Sequence, residues 1–537
     1  MNPRNPSAES PWKRTQKPNS KQESVEVNGS VISVGQEVEL SILSMTLEGQ
    51  SLARLDSYVV FVSGGIPGET VRAKIVSVGK KFGRARVIKV VKAAETRVTP
   101  KCRHFGRCGG CIWQHIDYGE QLHWKEELLR ATLEHKLPGV GFPIQPLIGI
   151  PEPWGTRNKI HYSVVDFGRG RTANLHLCHH KEHSLELEQI HECPVHHPAG
   201  DEIARRAFEW LRKRNVPGAS EESTVPGLKS VLVRTAGNGE QSHIVLVVTA
   251  ERIPELRGVE KAFLEIPGVA GVHLNIQTDP NSTYIGRETR CLAGEPRLVE
   301  TVGGVEFHVS PDAFFQTSAY CADQLLKLVQ KHVPDSTDSS ILDLYSGVGL
   351  FSIPLAAAGH RVTAVEENPK AVADGMETLR QNEISGCRFV QSRVQGFLKG
   401  VPRSLKFQTV ILDPPRDGCP DWAVKILARG LRPRRIINVS CNPQALAGDL
   451  EILTQSGYRI VEIQPVDMFP HTAHIETVTL LERVTQPQGK HAGKHSGRKR
   501  GGRNPVERKT SRKPATPKTK KTGQNLVRKK DSQKPAE

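Results

Sequence analysis

Apolar and polar positions alternate along residues 31–93. In the segment TVRAKIV (residues 70–76) every second residue is apolar, namely Val71, Ala73 and Ile75. This period of two indicates a half-buried strand. Similar runs lie at 37–43, 58–62 and 84–91, with glycine-rich turns between them. The pattern predicts a small all-β module such as an OB-like barrel, and an SH3-like barrel fits the same pattern.

The pattern changes twice further along the chain. Residues 94–310 mix strands at 243–248 and 271–276 with amphipathic helices at 121–133 and 199–212. In residues 311–485, short apolar runs alternate with helical segments, which is typical of a parallel α/β sheet covered by helices. We therefore predict an α/β protein in which a β-barrel and a mixed α+β domain precede a Rossmann-like domain. The last apolar run, Thr477–Leu481, is expected to add an edge strand.

Positive charge is concentrated at the chain ends. The net charge is +17, and residues 486–537 contain 17 Lys and Arg against three acids. This segment and residues 1–30 have few large apolar side chains, so both are predicted to be disordered. The basic tail is expected to contact nucleic-acid phosphates, and a tail that only aids solubility is the alternative. No secretory signal or bilayer-length apolar run is present, so a cytoplasmic protein with no membrane partner and reduced cysteines is expected.

A glycine-containing turn follows the first strand of the α/β region. The segment DLYSGVGLF (residues 343–351) leads from that strand into a helix, and Glu366 ends the next strand. Glycines allow a ligand to approach the backbone, and a carboxylate at this spacing accepts hydrogen bonds from ribose. A nucleoside pocket is therefore predicted. NAD is disfavoured because Ser352 occupies the place of the third glycine in its fingerprint.

Three later segments end or precede strands of the same sheet: ILDPPR (411–416), VSCNP (439–443) and HTAHIE (471–476). They bring a thiol, Cys441, and a carboxylate, Glu476, to one rim. Methylation of C5 of a pyrimidine requires a thiolate that adds to C6 and a base that later removes the C5 proton. Cys441 and Glu476 are the candidates for these roles. Taken singly, the first is more often a small buried apolar residue and the second a solvated carboxylate.

A cysteine cluster is predicted in the middle of the chain. Cys102, Cys108 and Cys111 have the spacing C-x5-C-x2-C, and Cys193 is a candidate fourth ligand. A triplet with a remote fourth cysteine is common for iron–sulfur clusters, whereas zinc sites usually present paired C-x2-C turns. We expect a [4Fe-4S] cluster, with zinc or no metal as alternatives.

The four segments DLYSGVGLF, ILDPPR, VSCNP and HTAHIE, in this order, resemble the RNA uracil-5-methyltransferase family of class I methyltransferases. The segment GETVRAKIV resembles the RNA-binding TRAM domain, and the cysteine spacing resembles that of the 23S ribosomal RNA branch; the tRNA branch lacks both features. The resemblance implies that S-adenosylmethionine is the cofactor, that Cys441 is the nucleophile and that Glu476 is the base. It also implies cofactor contacts from Gln316, Tyr345, Glu366 and Asp413, the last also close to the uracil.

Rival functions remain to be weighed. RNA cytosine-5-methyltransferases carry a cysteine directly after proline in the loop that here reads Pro-Pro-Arg (414–416), and the offset of Cys419 does not match. A non-catalytic RNA-binding or ribosome-assembly factor on the same scaffold is the alternative of a different class. The favoured reading is a monomeric enzyme that acts on RNA, ribosomal RNA foremost, and not on DNA. Arg157, Asn158 and Lys159 are further candidates for RNA contact, although a solvated strand start explains them equally well.

Overall fold

The computed structural model describes residues 24–27, 30–167, 173–182, 184–219, 225–279, 282, 285–335, 339–402 and 404–484. The predicted disordered segments at 1–30 and 486–537 therefore lie largely or wholly outside the described residues. Among the helices of the described part, none is long and apolar enough to cross a membrane.

The described residues begin with strands alone, continue with a mixture of strands and helices, and end with strands that largely alternate with helices. The N-terminal strands are β1 (Ser24–Val27), β2 (Ser30–Ser33), β3 (Glu37–Met45), β4 (Ser51–Leu55), β5 (Tyr58–Ser63), β6 (Thr70–Val78) and β7 (Phe82–Lys92). The middle part contains α1 (Tyr118–Lys136), β8 (Lys159–Asp166), β9 (Leu175–His180), β10 (Leu187–Gln189), α2 (Pro198–Lys213), β11 (Leu228–Thr235), β12 (Ser242–Val248), α3 (Val259–Leu264), β13 (Val269–Ile276), β14 (Glu288–Gly294), β15 (Leu298–Val302) and β16 (Val305–Val309). The C-terminal part contains α4 (Ala319–His332), β17 (Ser340–Leu344), α5 (Ser352–Ala357), β18 (Arg361–Glu366), α6 (Pro369–Gln381), β19 (Cys387–Gln391), α7 (Val394–Gly400), β20 (Thr409–Leu412), α8 (Asp421–Ile426), β21 (Arg435–Ser440), α9 (Pro443–Gln455), β22 (Tyr458–Val466) and β23 (Glu476–Arg483).

The N-terminal strands β3 to β7 close into a barrel in the order β3-β4-β5-β7-β6. On β6 the side chains of Val71, Ala73 and Ile75 are buried inside the barrel. Closure leaves the five strands without an unpaired edge. The alternation along 70–76 thus predicted the buried face correctly, whereas the sequence analysis overlooked the short strand β4.

The middle part is built on a seven-stranded sheet with the order β10-β9-β8-β11-β12-β13-β14. Helices α2 and α3 cover one face, where Ile203, Leu211 and Phe263 are buried against Ile244 and Leu246 of β12. These residues form the core of this part of the molecule.

The C-terminal part has a second seven-stranded sheet with the order β19-β18-β17-β20-β21-β23-β22. Five neighbouring strands are parallel, namely β19, β18, β17, β20 and β21. Strand β23 lies between β21 and β22 and is antiparallel to both. The prediction that Thr477–Leu481 forms an edge strand is therefore wrong, because β22 pairs with β23 on its outer side. The position of β23 inside the sheet, with a strand on each side, explains its continuous apolar run. The predicted fold class, a Rossmann-like sheet preceded by a barrel and a mixed domain, is confirmed.

Helix α1 packs on the C-terminal sheet rather than on the middle one. Its residues Leu129 and Leu133 are fully buried in the same apolar cluster as Leu342 and Leu344 of β17. Lys136, at its C-terminal end, forms an ion pair with Glu451 of α9 at 2.7 Å. The helix is therefore placed beside the rim at which the predicted site lies.

Candidate active site

Strand register brings the predicted reacting groups together. Ser440, the last residue of β21, pairs with Thr477 of the antiparallel strand β23. The hydroxyl of Thr477 also donates a hydrogen bond to the carbonyl of Ser440 at 3.0 Å. Cys441 directly follows Ser440, and Glu476 directly precedes Thr477. Because the two strands are antiparallel, Cys441 and Glu476 lie beside each other at the end of the sheet.

Asp413 joins the same rim because it directly follows β20, which is parallel to β21. The last residue of β20, Leu412, pairs with Asn438 of β21 on one side and with Leu344 of β17 on the other. Carboxyl ends of parallel strands form the usual ligand crevice of such a sheet. The crevice thus contains Asp413, Cys441 and Glu476 as the sequence predicted.

The turn after β17 is shaped for close approach of a ligand. Tyr345 has a φ of +64°, and the glycines at 347 and 349 have φ of +55° and +91°. A Cβ at Gly349 would lie 2.9 Å from the ring of Phe389, whereas nothing lies within 4 Å of a Cβ at Gly347. Glycine is therefore required at 349 by packing as well as by conformation, and the backbone at 347 is open.

Glu366 lies against this turn. One oxygen of its carboxylate accepts a hydrogen bond from the amide of Gly347 at 2.9 Å, and the other accepts one from the amide of Asn368 at 2.8 Å. The predicted ribose acceptor is thus held in place at the end of β18, with its position set by two backbone donors.

Ser352 has a role that the sequence analysis did not recognise. Its hydroxyl donates a hydrogen bond to Asp343 at 2.6 Å, and the Asp343 side chain is fully buried below the glycine turn. Burial raises the pKa of Asp343 to about 7, opposed by the Ser352 hydrogen bond. Ser352, which replaces the third glycine of the dinucleotide fingerprint, therefore stabilises the buried carboxyl group of Asp343 beneath the pocket.

Tyr345, in the turn after β17, and Gln316, in the loop before α4, have different neighbours. The hydroxyl of Tyr345 lies 3.8 Å from the sulfur of Cys419, which is buried. The backbone carbonyl of Gln316 accepts a hydrogen bond from the side chain of Asn158 at 3.3 Å. The amide of Asn158 also donates to the carbonyl of Thr317 at 2.9 Å. Asn158, a candidate RNA contact in the sequence, is thus buried and supports the loop that carries Gln316.

The Cys441 thiol is half-buried in an acidic environment. Burial raises its pKa to about 12, with a further increase from Glu476 and a smaller one from Asp413, while Arg416 lowers it. The thiol is therefore protonated at neutral pH in the absence of ligands. A group that removes its proton or adds positive charge would be needed to make it a nucleophile.

The two carboxyl groups of the rim affect each other. Burial raises the pKa of Glu476 well above its ordinary value, the charge of Asp413 raises it further, and Arg416 opposes both. Burial, and then the charge of Asp343, raise the pKa of Asp413 to about 7. Carboxyl groups with such raised pKa values are suited to proton transfer near neutral pH.

Arg416 and His474 belong to the site but were not predicted as site residues. A guanidinium nitrogen of Arg416 lies 3.1 Å from Nδ1 of His474. The carbonyl of Arg416 accepts a hydrogen bond from the side chain of Asn442, next to Cys441, at 2.9 Å. Burial, and then the charge of Arg416, lower the pKa of His474 to about 4, so its ring is neutral. Both residues stand in motifs that were identified, but only spatial proximity shows their relation to the thiol.

The four predicted cluster cysteines are neighbours. The charges of Cys102 and Cys111 contribute to the raised pKa of Cys108, and the charge of Cys111 contributes to the raised pKa of Cys193; burial is the main cause in both. However, no group of three or more His, Cys, Asp or Glu side chains within the described ranges is arranged to hold a metal ion. The predicted metal site is therefore not confirmed.

Comparison with known proteins identifies the family. The model of the tRNA (uracil-5-)-methyltransferase family matches residues 300–484, and the TRAM domain model matches residues 33–88. A protein of Gloeobacter violaceus named as an uncharacterised RNA methyltransferase is 33% identical over 451 residues, which are 84% of this chain and 97% of that protein. The chain belongs to the RNA uracil-5-methyltransferase family. A protein of Thermosynechococcus vestitus with the same description is 33% identical over 84% of this chain and 99% of its own length.

A solved structure supports the assignment. The tRNA (uracil-54, C5)-methyltransferase of Pyrococcus abyssi, in complex with S-adenosyl-L-homocysteine, is 26% identical to this chain. It has a TM-score of 0.65 and covers 82% of this chain and 99% of its own. The family, the class I methyltransferase fold, the TRAM domain and the enzymatic class predicted from the sequence are thereby confirmed.

Proposed function

We propose that this enzyme methylates C5 of a uridine in RNA with S-adenosylmethionine as the methyl donor. The observation that carries the proposal is the apposition of Cys441 and Glu476 at the ends of two paired strands. A scaffold without catalysis has no need for a thiol beside a carboxyl group at the end of the sheet, which gives no support to the non-catalytic alternative. Cytosine-5 chemistry is disfavoured because the buried Cys419 lies against Tyr345 and not after the prolines.

The reaction is proposed to begin at Cys441. Its thiolate forms a bond to C6 of the uracil, and the electron pair of the C5–C6 double bond makes C5 nucleophilic. The cofactor, when bound, would supply an electrophilic methyl group: C5 would bond to this methyl as the sulfonium–carbon bond breaks, which leaves a neutral thioether. Glu476 then accepts the C5 proton, the double bond reforms and the C6–S bond breaks. The raised pKa of Glu476 favours its protonated form at rest, and its carboxylate, once formed, is a stronger base than that of an ordinary glutamate.

The cofactor would be held by the residues around the glycine turn. Glu366 would accept hydrogen bonds from ribose, Tyr345 would lie against the nucleoside, and Asp413 and Gln316 would border the methyl-donating end. The open backbone at Gly347 and the φ of +91° at Gly349 fit a ligand lying on the turn. The structure of the Pyrococcus relative with S-adenosyl-L-homocysteine supports this class of ligand.

The RNA target is proposed to be 23S ribosomal RNA. The TRAM domain at 33–88 supports RNA binding outside the catalytic sheet. Transfer RNA is the second candidate, because the similar solved structure is a tRNA methyltransferase. We further propose that the enzyme acts as a monomer in the cytoplasm and that its basic tail contacts RNA phosphates.

We also propose that Cys102, Cys108, Cys111 and Cys193 bind a [4Fe-4S] cluster. One support is that, beyond burial, the charges of neighbouring thiols raise the pKa of Cys108, Cys111 and Cys193. Another is Arg157, whose positive charge lowers these three pKa values against the larger effect of burial. Thiolates around a cubane lie farther apart than the ligands of a single ion, which reconciles neighbouring thiols with the absence of a single-ion site among the described residues. The cluster would connect the segment 102–111 to Cys193.

The function is tested by mapping modified nucleosides in RNA from cells that lack the protein. Loss of one or two 5-methyluridines from 23S RNA, restored by the native protein and by a Cys419→Ser variant but not by Cys441→Ser, is the expected result. Loss from tRNA instead would favour the second candidate. Unchanged 5-methyluridine in both RNAs would contradict the proposed activity.

A further inference from the structure

The loop that leads to Glu476 is fixed from outside its own domain. This loop, residues 467–475, joins β22 to β23. At its centre His471 has a φ of +64°, a left-handed conformation that is uncommon for a residue other than glycine. Such a conformation persists only where the surrounding structure holds it. The residues that hold it come from 112–154, over 300 positions earlier in the chain.

Backbone contacts of His471 form the first part of this support. Its carbonyl accepts hydrogen bonds from the amides of Ile112 at 3.0 Å and Trp113 at 2.9 Å. Its amide donates to the side-chain oxygen of Gln121 on α1 at 2.8 Å. The amide nitrogen of Gln121 donates to the carbonyls of Trp113 and Ile116 at 3.1 and 2.8 Å. Gln121 is buried and therefore ties the 112–116 turn, helix α1 and the catalytic loop into one unit.

The imidazole ring of His471 is held as well. It stacks on the ring of Trp154 at a centroid distance of 3.9 Å, and Nε2 lies 3.2 Å from the carbonyl of Pro153. Nδ1 lies 3.3 Å from the side-chain nitrogen of Gln121. Burial lowers the pKa of His471 to about 4, so the ring is neutral at physiological pH. The ring thus holds the loop in place by packing and hydrogen bonding, and it does not act as a proton carrier.

An ion pair fixes the beginning of the loop. Nζ of Lys125 on α1 lies 2.6 Å from Asp467, and both side chains are fully buried. Lys125 also donates to the carbonyl of Phe469 at 3.0 Å, and the hydroxyl of Tyr118 donates to Asp467 at 2.9 Å. Buried ion pairs contribute little net stability but strongly select one geometry when every group is satisfied.

We infer that helix α1, through Gln121 and Lys125, positions the catalytic base by fixing the loop at His471. Gln121, Lys125 and His471 are positioning residues, since none of their contacts within the described part of the chain is to the thiol or the base. This inference rests on the proposed function of Glu476. A base displaced by about 1 Å loses up to about 100-fold in rate. The step affected is removal of the C5 proton, which follows formation of the covalent bond to Cys441.

The test compares Gln121→Met with Lys136→Met, which removes the exposed ion pair of the same helix to Glu451. With RNA containing ordinary uridine and S-adenosylmethionine, Gln121→Met is expected to lower kcat about 10- to 100-fold. The KM for S-adenosylmethionine should stay within about twofold. A covalent protein–RNA adduct should accumulate on denaturing gels, because proton removal has become the slow step. Lys136→Met should behave like the native enzyme.

A lower kcat without adduct, or an unchanged kcat, would overturn the inference. If Gln121→Met does not fold, His471→Asn provides the same readouts, since asparagine tolerates the left-handed backbone and retains the main-chain hydrogen bonds. The native enzyme with 5-fluorouridine RNA separates this inference from the proposed function. Absence of a native adduct would contradict the function, whereas a native adduct without accumulation in the variants would contradict only the positioning role.

Discussion

Arg416 is the cation that favours ionisation of Cys441, the proposed nucleophile. Its charge lowers the pKa of Cys441 against the larger raising effects of burial and Glu476. A pKa of about 12 leaves roughly one thiol in 30,000 ionised at pH 7.5. Arg416→Met removes the cation and should therefore reduce the thiolate population further.

The size of the effect follows from the exposure of the guanidinium. An opposite charge near an ionisable group shifts its pKa by about 1 to 3 units. Because the Arg416 side chain is exposed, water screens its charge and we take the lower figure, about one unit. The thiolate population, and the rate of covalent bond formation that depends on it, should fall about 10-fold in Arg416→Met. Arg416→Lys retains the charge and should recover most of the rate.

The assay measures single-turnover adduct formation with 5-fluorouridine RNA between about pH 6.5 and 8.5. The rates of native enzyme and variant should both rise with pH as parallel lines, because both thiols titrate above this range. The slope should be below about 10-fold per pH unit near pH 7, where Asp413 loses its proton and its charge raises the pKa of the thiol. Arg429→Met is the control, since Arg429 is exposed and contacts Ser456 just past the C-terminal end of α9, whereas Cys441 precedes the N-terminal end of that helix. An adduct rate for Arg416→Met within twofold of the native rate would refute the electrostatic account.

Three further predictions concern stability and RNA binding. Asp449 is buried, and burial raises its pKa to about 7. Between about pH 4 and 7 the folded state therefore keeps a proton on Asp449 that the unfolded state releases. The free energy of unfolding that this group contributes falls as the pH rises through that window. Asp449→Asn should raise the free energy of unfolding at pH 8 by up to about 4 kcal/mol, with little change at pH 4, in urea titrations. Asp374 accepts hydrogen bonds from Arg297 and from Ser310, each at 2.7 Å, so Asp374→Ala should lose about 2 to 4 kcal/mol in the same titrations. Glu377→Ala removes contacts to Arg380 and Gln381 of the same helix and should lose much less. Removal of residues 486–537 should weaken RNA binding and flatten its salt dependence, and unchanged affinity at about 0.1 M salt would contradict an RNA role for the tail.

Short motifs at strand ends could be predicted from the sequence because the parallel sheet itself brings them together. Asp413 and Cys441 each follow a continuous apolar run, and runs of this kind are buried strands whose carboxyl ends share one rim. The proximity of Cys441 and Glu476 could therefore be predicted from the sequence, and the structure shows it.

Strand β22 was missed for a local reason. Its sequence YRIVEIQPV carries Arg459, Glu462 and Pro465, and the pairing with β23 shifts register between Ile460 and Glu462. Charged residues on the solvent side and a proline on an edge strand weaken the apolar signal. Without β22, the strand that carries Glu476 was assigned to the edge of the sheet.

The support of the catalytic loop could not be predicted at all. Lys125 and Asp467 are 342 positions apart, and helix α1 shows only an ordinary mixture of apolar and charged residues. Periodicity reports which face of a helix is buried but not which distant segment covers it. The contributions of Gln121 and His471 become visible only from the folded chain.

The central claim is that the sulfur of Cys441 bonds to the target uridine. The most direct measurement is mass spectrometry of peptides from the enzyme trapped with 5-fluorouridine RNA and S-adenosylmethionine. We predict a methylated fluorouridine on the peptide containing Cys441 and an unmodified peptide containing Cys419. A nucleotide on any other cysteine, or no cross-linked peptide from active enzyme, would contradict the account.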